Sequence, residues 1–573
     1  MQPTTASPGN FTAARLGVRF RADGWVLGTC LVALLVATPL IAVATLAFAP
    51  TEEIWQHLAS TVLPRYAETT LVLMVGVGAG TLVIGTGTAW LVTMCDFPAR
   101  RVFEWALLLP LAMPTYVAAY VFTDVLEYAG PVQKALREIF GWSNSQDYWF
   151  PEIRSLGGAI AMMTLVLYPY VYLLSRSAFL AQSVGALDAS RTLGVGPWRG
   201  FFLVAMPLAR PGIVVGVTLV LMEALNDFGT VDFFAVHTFT MGIYDVWLNM
   251  NSTAGAAQLA VVLLMFVVVL IAAERWARRG QRYFHTSSGY GALPRYRLGR
   301  GMASAALCAC LTPVVLGFLF PAAVLTTYAL DYYREALSAN YFVYAGNSLA
   351  LSTLSAGLAV VFGLFLSYGA RLSGNPLVKG AARFASFGYA VPGAVLAIGV
   401  IIPMARLDNA VDAFMDDAFG ISTGLLLSGT VFAVSYGYLV RFLALSYGAV
   451  EAGLAKVTPN MDGAARTLGE GPLGTLRRVH FPMIRGSILT AAILVFVDCM
   501  KELPMTIILR PFNFETLATF AHQFASDELL EESALASLTI VAAGVLPVIL
   551  LSRLAGRSRP GQAAEATTAR KRP

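Results

Sequence analysis

The chain has 573 residues, of which 57% are hydrophobic and 13% charged, and its 39 basic and 34 acidic side chains leave a net charge of +5. A soluble globular protein is about 45–50% apolar and about 25% charged, so this composition excludes a cytosolic enzyme, a nucleic-acid binder and a disordered chain. Lipid is the main solvent, and the +5 is informative through its placement rather than its size.

Residues 1–24 are polar, and the first apolar stretch is too long for the core of a cleavable leader, so none is expected. A helix crossing the hydrocarbon needs about 20 mostly apolar residues. Twelve segments qualify: 25–49, 69–93, 104–123, 157–180, 211–228, 256–274, 303–328, 346–369, 383–404, 423–447, 485–500 and 534–553. The runs are continuous rather than alternating, which selects helices over a barrel. The five cysteines (Cys30, Cys95, Cys308, Cys310 and Cys499) fall in or beside these runs, which argues against a disulfide framework. The pair Cys308 and Cys310 reads as packing, not metal binding.

Arginines alternate with the spans. Arg15, Arg19 and Arg21 precede the first span, Arg100 and Arg101 follow the second, and Arg191, Arg199 and Arg210 follow the fourth. Residues 275–302 are rich in arginine, Arg371 and Arg383 follow the eighth span, and Arg466, Arg477, Arg478 and Arg485 follow the tenth. The intervening loops carry the acids. Positive loops stay in the cytoplasm, so both termini are expected there. Arg441, toward the end of the tenth span, is expected to snorkel to the interface.

The sequence repeats. Ser190-Arg-Thr-Leu-Gly194 returns 275 positions later as Ala465-Arg-Thr-Leu-Gly469, and Pro207 returns as Pro482. Earlier in each half the offset is 278: Thr70-Leu71 against Ser348-Leu349, and Met113-Pro114 against Val391-Pro392. Pairing Tyr168 with Tyr436 places a seven-residue insertion before the second motif. Six spans per copy is even, so the copies are parallel, with the pseudo-two-fold along the membrane normal. The expected organisation is an N-terminal tail (1–24), a first six-helix repeat (25–274), a linker (275–302), a second repeat (303–553) and a C-terminal tail (554–573).

Both repeated motifs read as helix, break, helix. Asp188 can favour a helix N-terminus, Gly194 supplies a left-handed stop, Pro197 starts the next helix, and Pro207 and Pro211 fix the approach to the fifth span. This spacing resembles the EAA loop of binding-protein-dependent ABC importer permeases. Asp188, Ala189, Gly194 and Pro207 take its places in the first copy; Ala464, Ala465, Gly469 and Pro482 do so in the second. Gly463 stands at the acidic position of the second copy with Asp462 beside it, so the two docking contacts are expected to be unequal. The resemblance implies an all-α membrane protein of the type I importer permease fold, with core permease domains at about 65–272 and 343–551. It also implies two ATPase subunits beneath the loops and a periplasmic binding protein above. The chain has no phosphate-loop motif, so no cofactor is expected on it; ATP and Mg belong to the partner ATPase.

After each loop the next span ends in acids: Glu223 and Asp227, then Asp498 and Glu502. Charge inside a span is costly and marks pathway candidates, and hard oxygen ligands suit Fe3+. A structural role stays open beside this one: Asp498 can pair with Lys501, and Asp227 and Glu502 can face water or a partner. No firm metal site is assigned. His57, His237, His285, His480 and His522 are read as surface or interface residues, and Tyr168, Tyr170 and Tyr172 as packed tyrosines with satisfied hydroxyls. Lys501-Glu-Leu-Pro through Thr519 resembles ferric-iron permeases, whose delivery partner is a ferric-binding protein; permeases for thiamine, sulfate, molybdate or polyamines share parts of it. A proton-coupled secondary transporter is the further alternative.

Overall fold

The structure is a computed structural model that describes residues 24–50, 54–182, 192–194, 196–278, 295–337, 339–373 and 375–556. The two tails, much of the linker, and Asp188, Ala189 and Ser190 lie outside the described residues.

Among the described residues, eleven helices are long and apolar enough to span a bilayer, and a bent pair makes twelve. The first half holds α1 (Gly24–Ala47), α2 (Leu63–Met94), α3 (Arg100–Ala106), α4 (Thr115–Leu126), α5 (Leu156–Leu180), α6 (Met206–Asn226) and α7 (Thr253–Arg278). The second holds α8 (Arg300–Asp331), α9 (Ala339–Ser373), α10 (Pro376–Ala385), α11 (Gly393–Phe419), α12 (Val431–Leu454), α13 (Phe481–Met500) and α14 (Leu530–Gly556). This is the two-copy permease fold.

The third span of each half differs from the apolar run that predicted it. Segment 104–123 is broken: α3 runs into a 3-10 turn at Leu109–Ala112, and α4 restarts after Pro114, with a bend of 88° across the pair. Segment 383–404 breaks at the equivalent place, where a 3-10 turn at Gly388–Ala390 precedes Pro392 and α11. Proline has no N–H to continue a helix and pushes its predecessor out of helical geometry, so Met113 and Val391 are both extended.

No seven-residue insertion separates the halves. The N-caps of α5 and α12, Ser155 and Thr430, are 275 apart, and this offset continues through the repeated loops. Packing fixes the register independently. A Cβ on Gly85 of α2 would meet the Tyr168 carbonyl at 2.9 Å and the Tyr172 N–H nitrogen at 2.9 Å; one on Gly363 of α9 would meet Ser446 and the Tyr447 nitrogen at 3.0 Å. Tyr172 therefore pairs with Tyr447. Beyond the central helices the offset returns to 278: Thr70 accepts from the Phe239 N–H at 3.4 Å, and Ser348 from the Leu517 N–H at 2.8 Å.

The first helix of each half lies against the other half. Trp25 of α1 stacks on Phe365 of α9 at 5.1 Å, and the Tyr436 hydroxyl of α12 donates to the Leu35 carbonyl at 2.5 Å. Reciprocally, Tyr328 of α8 donates to Asp124 at 2.5 Å. These exchanged helices tie the halves at the rim while leaving the centre to α4, α5, α6, α12 and α13.

Close helix contact through small residues is a main source of association in membranes. Gly85→Val and Gly363→Val are therefore expected to cost about 1–3 kcal/mol each by overpacking. Gly87→Val and Gly357→Val, where a Cβ meets nothing within 4 Å, are the controls. Thermal unfolding in detergent checks this; equal shifts at all four sites would refute the register.

Candidate translocation site and coupling loops

α6 and α13 stop at pseudo-equivalent places, each followed by a short helix: Gly229–Phe233 and Pro504–Leu509. Between them lies a cavity of about 90 Å³, room for several waters. Glu223, Asp227, Asp498 and Glu502 all line it, with Arg441, Lys501, Tyr116, Tyr170 and Tyr389.

The four carboxylates have different partners. Asp227 Oδ1 accepts from the Thr230 N–H at 2.8 Å, and its Oδ2 accepts from the hydroxyls of Thr230, at 3.0 Å, and Thr115. Glu502 accepts from the N–H groups of Met505 and Thr506 at 2.9 and 3.0 Å, from the Thr506 hydroxyl at 2.6 Å, and from Arg441 at 3.2 Å. These two acids cap the short helices, satisfying N–H groups that water cannot reach. Asp498 is held by Lys501 at 3.0 Å. Glu223 accepts from the Tyr389 hydroxyl of the opposite half at 2.6 Å. Beside that bond the Asn226 side chain accepts from the Gly393 N–H at 2.6 Å, again across the halves.

Arg441 does not snorkel. It sits mid-way along α12, 4% exposed, and its ion pair with Glu502 is buried on both sides. A Cβ on Gly393 would approach the Arg441 guanidinium at 2.5 Å, so the break after Pro392 also makes the space for that side chain.

His480 is fully buried rather than on the surface. Its Nε2 lies 2.6 Å from Asp462, which also accepts from Arg371 at 3.0 and 2.9 Å. Burial pushes the Asp462 carboxyl up, but the hydrogen bonds from His480 and Arg371 outweigh it and hold the group below its usual range. Arg371, near the end of α9, donates further to the carbonyls of Leu454 and Val457, beyond which the loop helix Pro459–Thr467 begins. Asp462 thus fastens the second loop to the bundle. His522 meets the Tyr120 hydroxyl at 2.6 Å. His285 lies outside the described residues, as does the side chain of His57. Among the described residues no group of three or more His, Cys, Asp or Glu side chains is arranged for a metal. Tyr170 lines the cavity, and Tyr172 donates to the Glu104 carbonyl at 3.1 Å. The Tyr168 hydroxyl, expected to be satisfied, is buried without a partner among the described residues.

Gly194 and Gly469 have φ of +76° and +83°, the left-handed region that glycine enters without a steric penalty. Pro197 and Pro472 open the next helices, Phe201–Ala205 and Leu476–His480 form matching π turns, and Pro207 and Pro482 sit in the first turns of α6 and α13. Ala465 is buried at the base of its loop, and Ala464 lies in the same helix turn. Equivalent apolar side chains remain outside: Leu193 and Leu468 are 82% and 83% exposed, and Trp198 and Leu473 58% and 77%.

Two like bundles thus surround a polar cavity, and each carries a loop with exposed apolar side chains. Residues 76–282 match the family of binding-protein-dependent transport system inner membrane components. The second half repeats the loop pattern of that unit, and over most of its length the chain is similar to multi-pass permeases of binding-protein-dependent importers. It is 25% identical to the Fe(3+)-transport system permease protein FbpB 2 of Haemophilus influenzae over 508 residues, 86% of this chain and 91% of that protein. It is 22% identical to the ferric transport system permease protein FbpB of Actinobacillus pleuropneumoniae over 81% of this chain and 67% of that protein. The molybdenum transport system permease protein ModB of Escherichia coli K12 is 28% identical over 207 residues, 35% of this chain and 87% of that protein.

Breaking a buried ion pair from one side leaves an uncompensated charge and costs about 3–5 kcal/mol. Arg441→Met is expected to destabilise by about 3 kcal/mol, and Arg441→Met with Glu502→Gln by less than the sum of the singles. A double-mutant cycle in detergent unfolding measures this; strict additivity would mean the pair is not coupled.

Proposed function

We propose that the chain is the permease of an ATP-driven importer for ferric iron, delivered by a periplasmic ferric-binding protein and released to the cytoplasm. The observation that carries the coupling is the duplicated loop: a left-handed glycine, a proline-started turn, a π turn and an exposed leucine recur at the same offset. Two such loops on one chain fit two copies of a separate ABC ATPase, which hold ATP and Mg. The loop face also carries Arg371, Arg466, Arg477 and Arg478, which supports a cytoplasmic position for it and for both termini.

Iron is favoured over an oxyanion by charge. The cavity holds four carboxylates against Arg441 and Lys501, and each cation is already paired with a carboxylate. The remaining two, Glu223 and Asp227, leave an excess of negative charge for a hard cation. The likeness to two ferric permeases over most of the chain points the same way. The likeness to a molybdenum permease covers a third of the chain, and among the described residues both cavity cations already have carboxylate partners rather than being free for an oxyanion.

In proteoliposomes, 55Fe3+ uptake is expected only with ATPase, ATP and binding protein together, and molybdate is not expected to compete. Gly194→Pro and Gly469→Pro should insert normally yet abolish uptake, because proline holds φ near about −65°. Uptake driven by a pH gradient alone would sink this reading, and survival of uptake in both proline variants would sink the coupling assignment.

A further inference from the structure

Of the four cavity carboxylates, three are committed elsewhere: Asp227 and Glu502 to helix caps, and Asp498 to Lys501. Glu223 accepts one hydrogen bond, from the Tyr389 phenol. Tyr170 lines the same wall, close to Glu223, Asp498 and Tyr389. A third phenol, Tyr116, is 5% exposed, lines the cavity, and has a hydroxyl with no partner among the described residues. An orphaned buried hydroxyl in a polar cavity has an unused lone pair, which is costly unless a guest meets it.

We propose that Glu223, Tyr389 and Tyr170 form the transit site for a hard trivalent cation, with Tyr116 as the next oxygen along the path. This rests on the ferric reading above and goes beyond it by naming the ligands. Carboxylate and phenolate oxygens are the hard donors that such a cation prefers. The steps balance without redox chemistry. The Tyr389 O–H bond breaks as an Fe–O bond forms, the proton leaves to cavity water, and the Glu223 oxygen freed of its hydrogen bond becomes a second ligand. Tyr389 and Glu223 belong to opposite halves, so cargo binding exchanges a hydrogen bond between the halves for ligation by both. The Lys501–Asp498 pair, beside Tyr170, keeps a positive charge near the site. That charge weakens retention, as a pathway needs: favourable enough to enter, weak enough to leave.

The test uses the full permease with its ATPase. In nanodiscs titrated with ferric nitrilotriacetate, the wild type should develop the visible charge-transfer absorption of an Fe3+–phenolate. Tyr389→Phe should lose most of it, and Tyr172→Phe should keep it, since the Tyr172 hydroxyl donates to the Glu104 backbone carbonyl, away from the cavity. In proteoliposomes with the binding protein, Tyr389→Phe and Glu223→Gln should lower 55Fe3+ uptake about tenfold or more, the scale of a lost metal partner. Lys501→Gln should bind Fe3+ more tightly while turning over more slowly. Wild-type uptake without the absorption band, or uptake unimpaired in Tyr389→Phe and Glu223→Gln, overturns the site and leaves the ferric reading standing. A wild type that moves no 55Fe3+ under any condition overturns both.

Discussion

The centre of this molecule depends on backbone N–H groups that have no water to bond. α6 and α13 stop inside the bundle, and each stop frees the first N–H groups of a short following helix. In a membrane such groups must be satisfied internally. Asp227 and Glu502 do this from 275 positions apart, each one residue before the N-cap of its short helix. The cavity exists because the chain turns aside there, and the turn is tolerable because a carboxylate waits for it. The breaks at Pro114 and Pro392 open the facing wall, so four interruptions enclose one space.

The two-fold that relates the helix ends around the cavity is broken in the charges. Arg441 stands opposite Val166 by the 275 offset, Lys501 opposite Asn226, and by the 278 offset Tyr389 opposite Leu111. The second half supplies two acids and two bases to the cavity, while the first supplies two acids and no base. The uncompensated wall is therefore α6. A symmetric pore would offer an ion two equal sites; this one offers a single unbalanced face, with the paired charges of the second half opposite it.

Much of this was legible in the sequence, for physical reasons that also explain the rest. Spans are read from hydropathy because the bilayer demands uninterrupted apolar length, and the loops are read from glycine and proline because those residues have narrow backbone roles. Proline inside an apolar run was visible at Pro114 and Pro392, yet a hydropathy window averages across it. The mispairing of Tyr168 with Tyr436 followed from matching side chains, when the capping residues Ser155 and Thr430 carried the register. Arg441 misled because its partner is 61 positions away and only the fold brings them together. Its depth was the available signal, since a guanidinium half-way along a helix cannot reach water. Of the four acids, the pairing of Asp498 with Lys501 was legible from their spacing; Asp227 and Glu502 serve N–H groups three or four residues on, in helices too short to announce themselves, and Glu223 meets a phenol that only the fold brings near.

The clamp at Asp462 shows how motion at the loop face can reach the cavity. Arg371 grips the carbonyl end of α12 and the loop helix at once, and His480, on the turn leading into α13, holds the same carboxylate. α12 carries Arg441, and α13 ends at Asp498 and Glu502. The second loop is thus tied to both helices, by Arg371 and His480 through the partly buried Asp462 at the loop end and by the buried Arg441–Glu502 pair at the cavity end. The first half has Thr93 where the second has Arg371, and its hydroxyl has no partner among the described residues. There the Gln182 side chain, just past α5, donates to the Ala205 carbonyl at 2.7 Å, so the link to α6 is a neutral hydrogen bond where the second half has an ionic clamp. The unbalanced carboxylate thus belongs to the half with the neutral link, and the paired charges to the half with the ionic one.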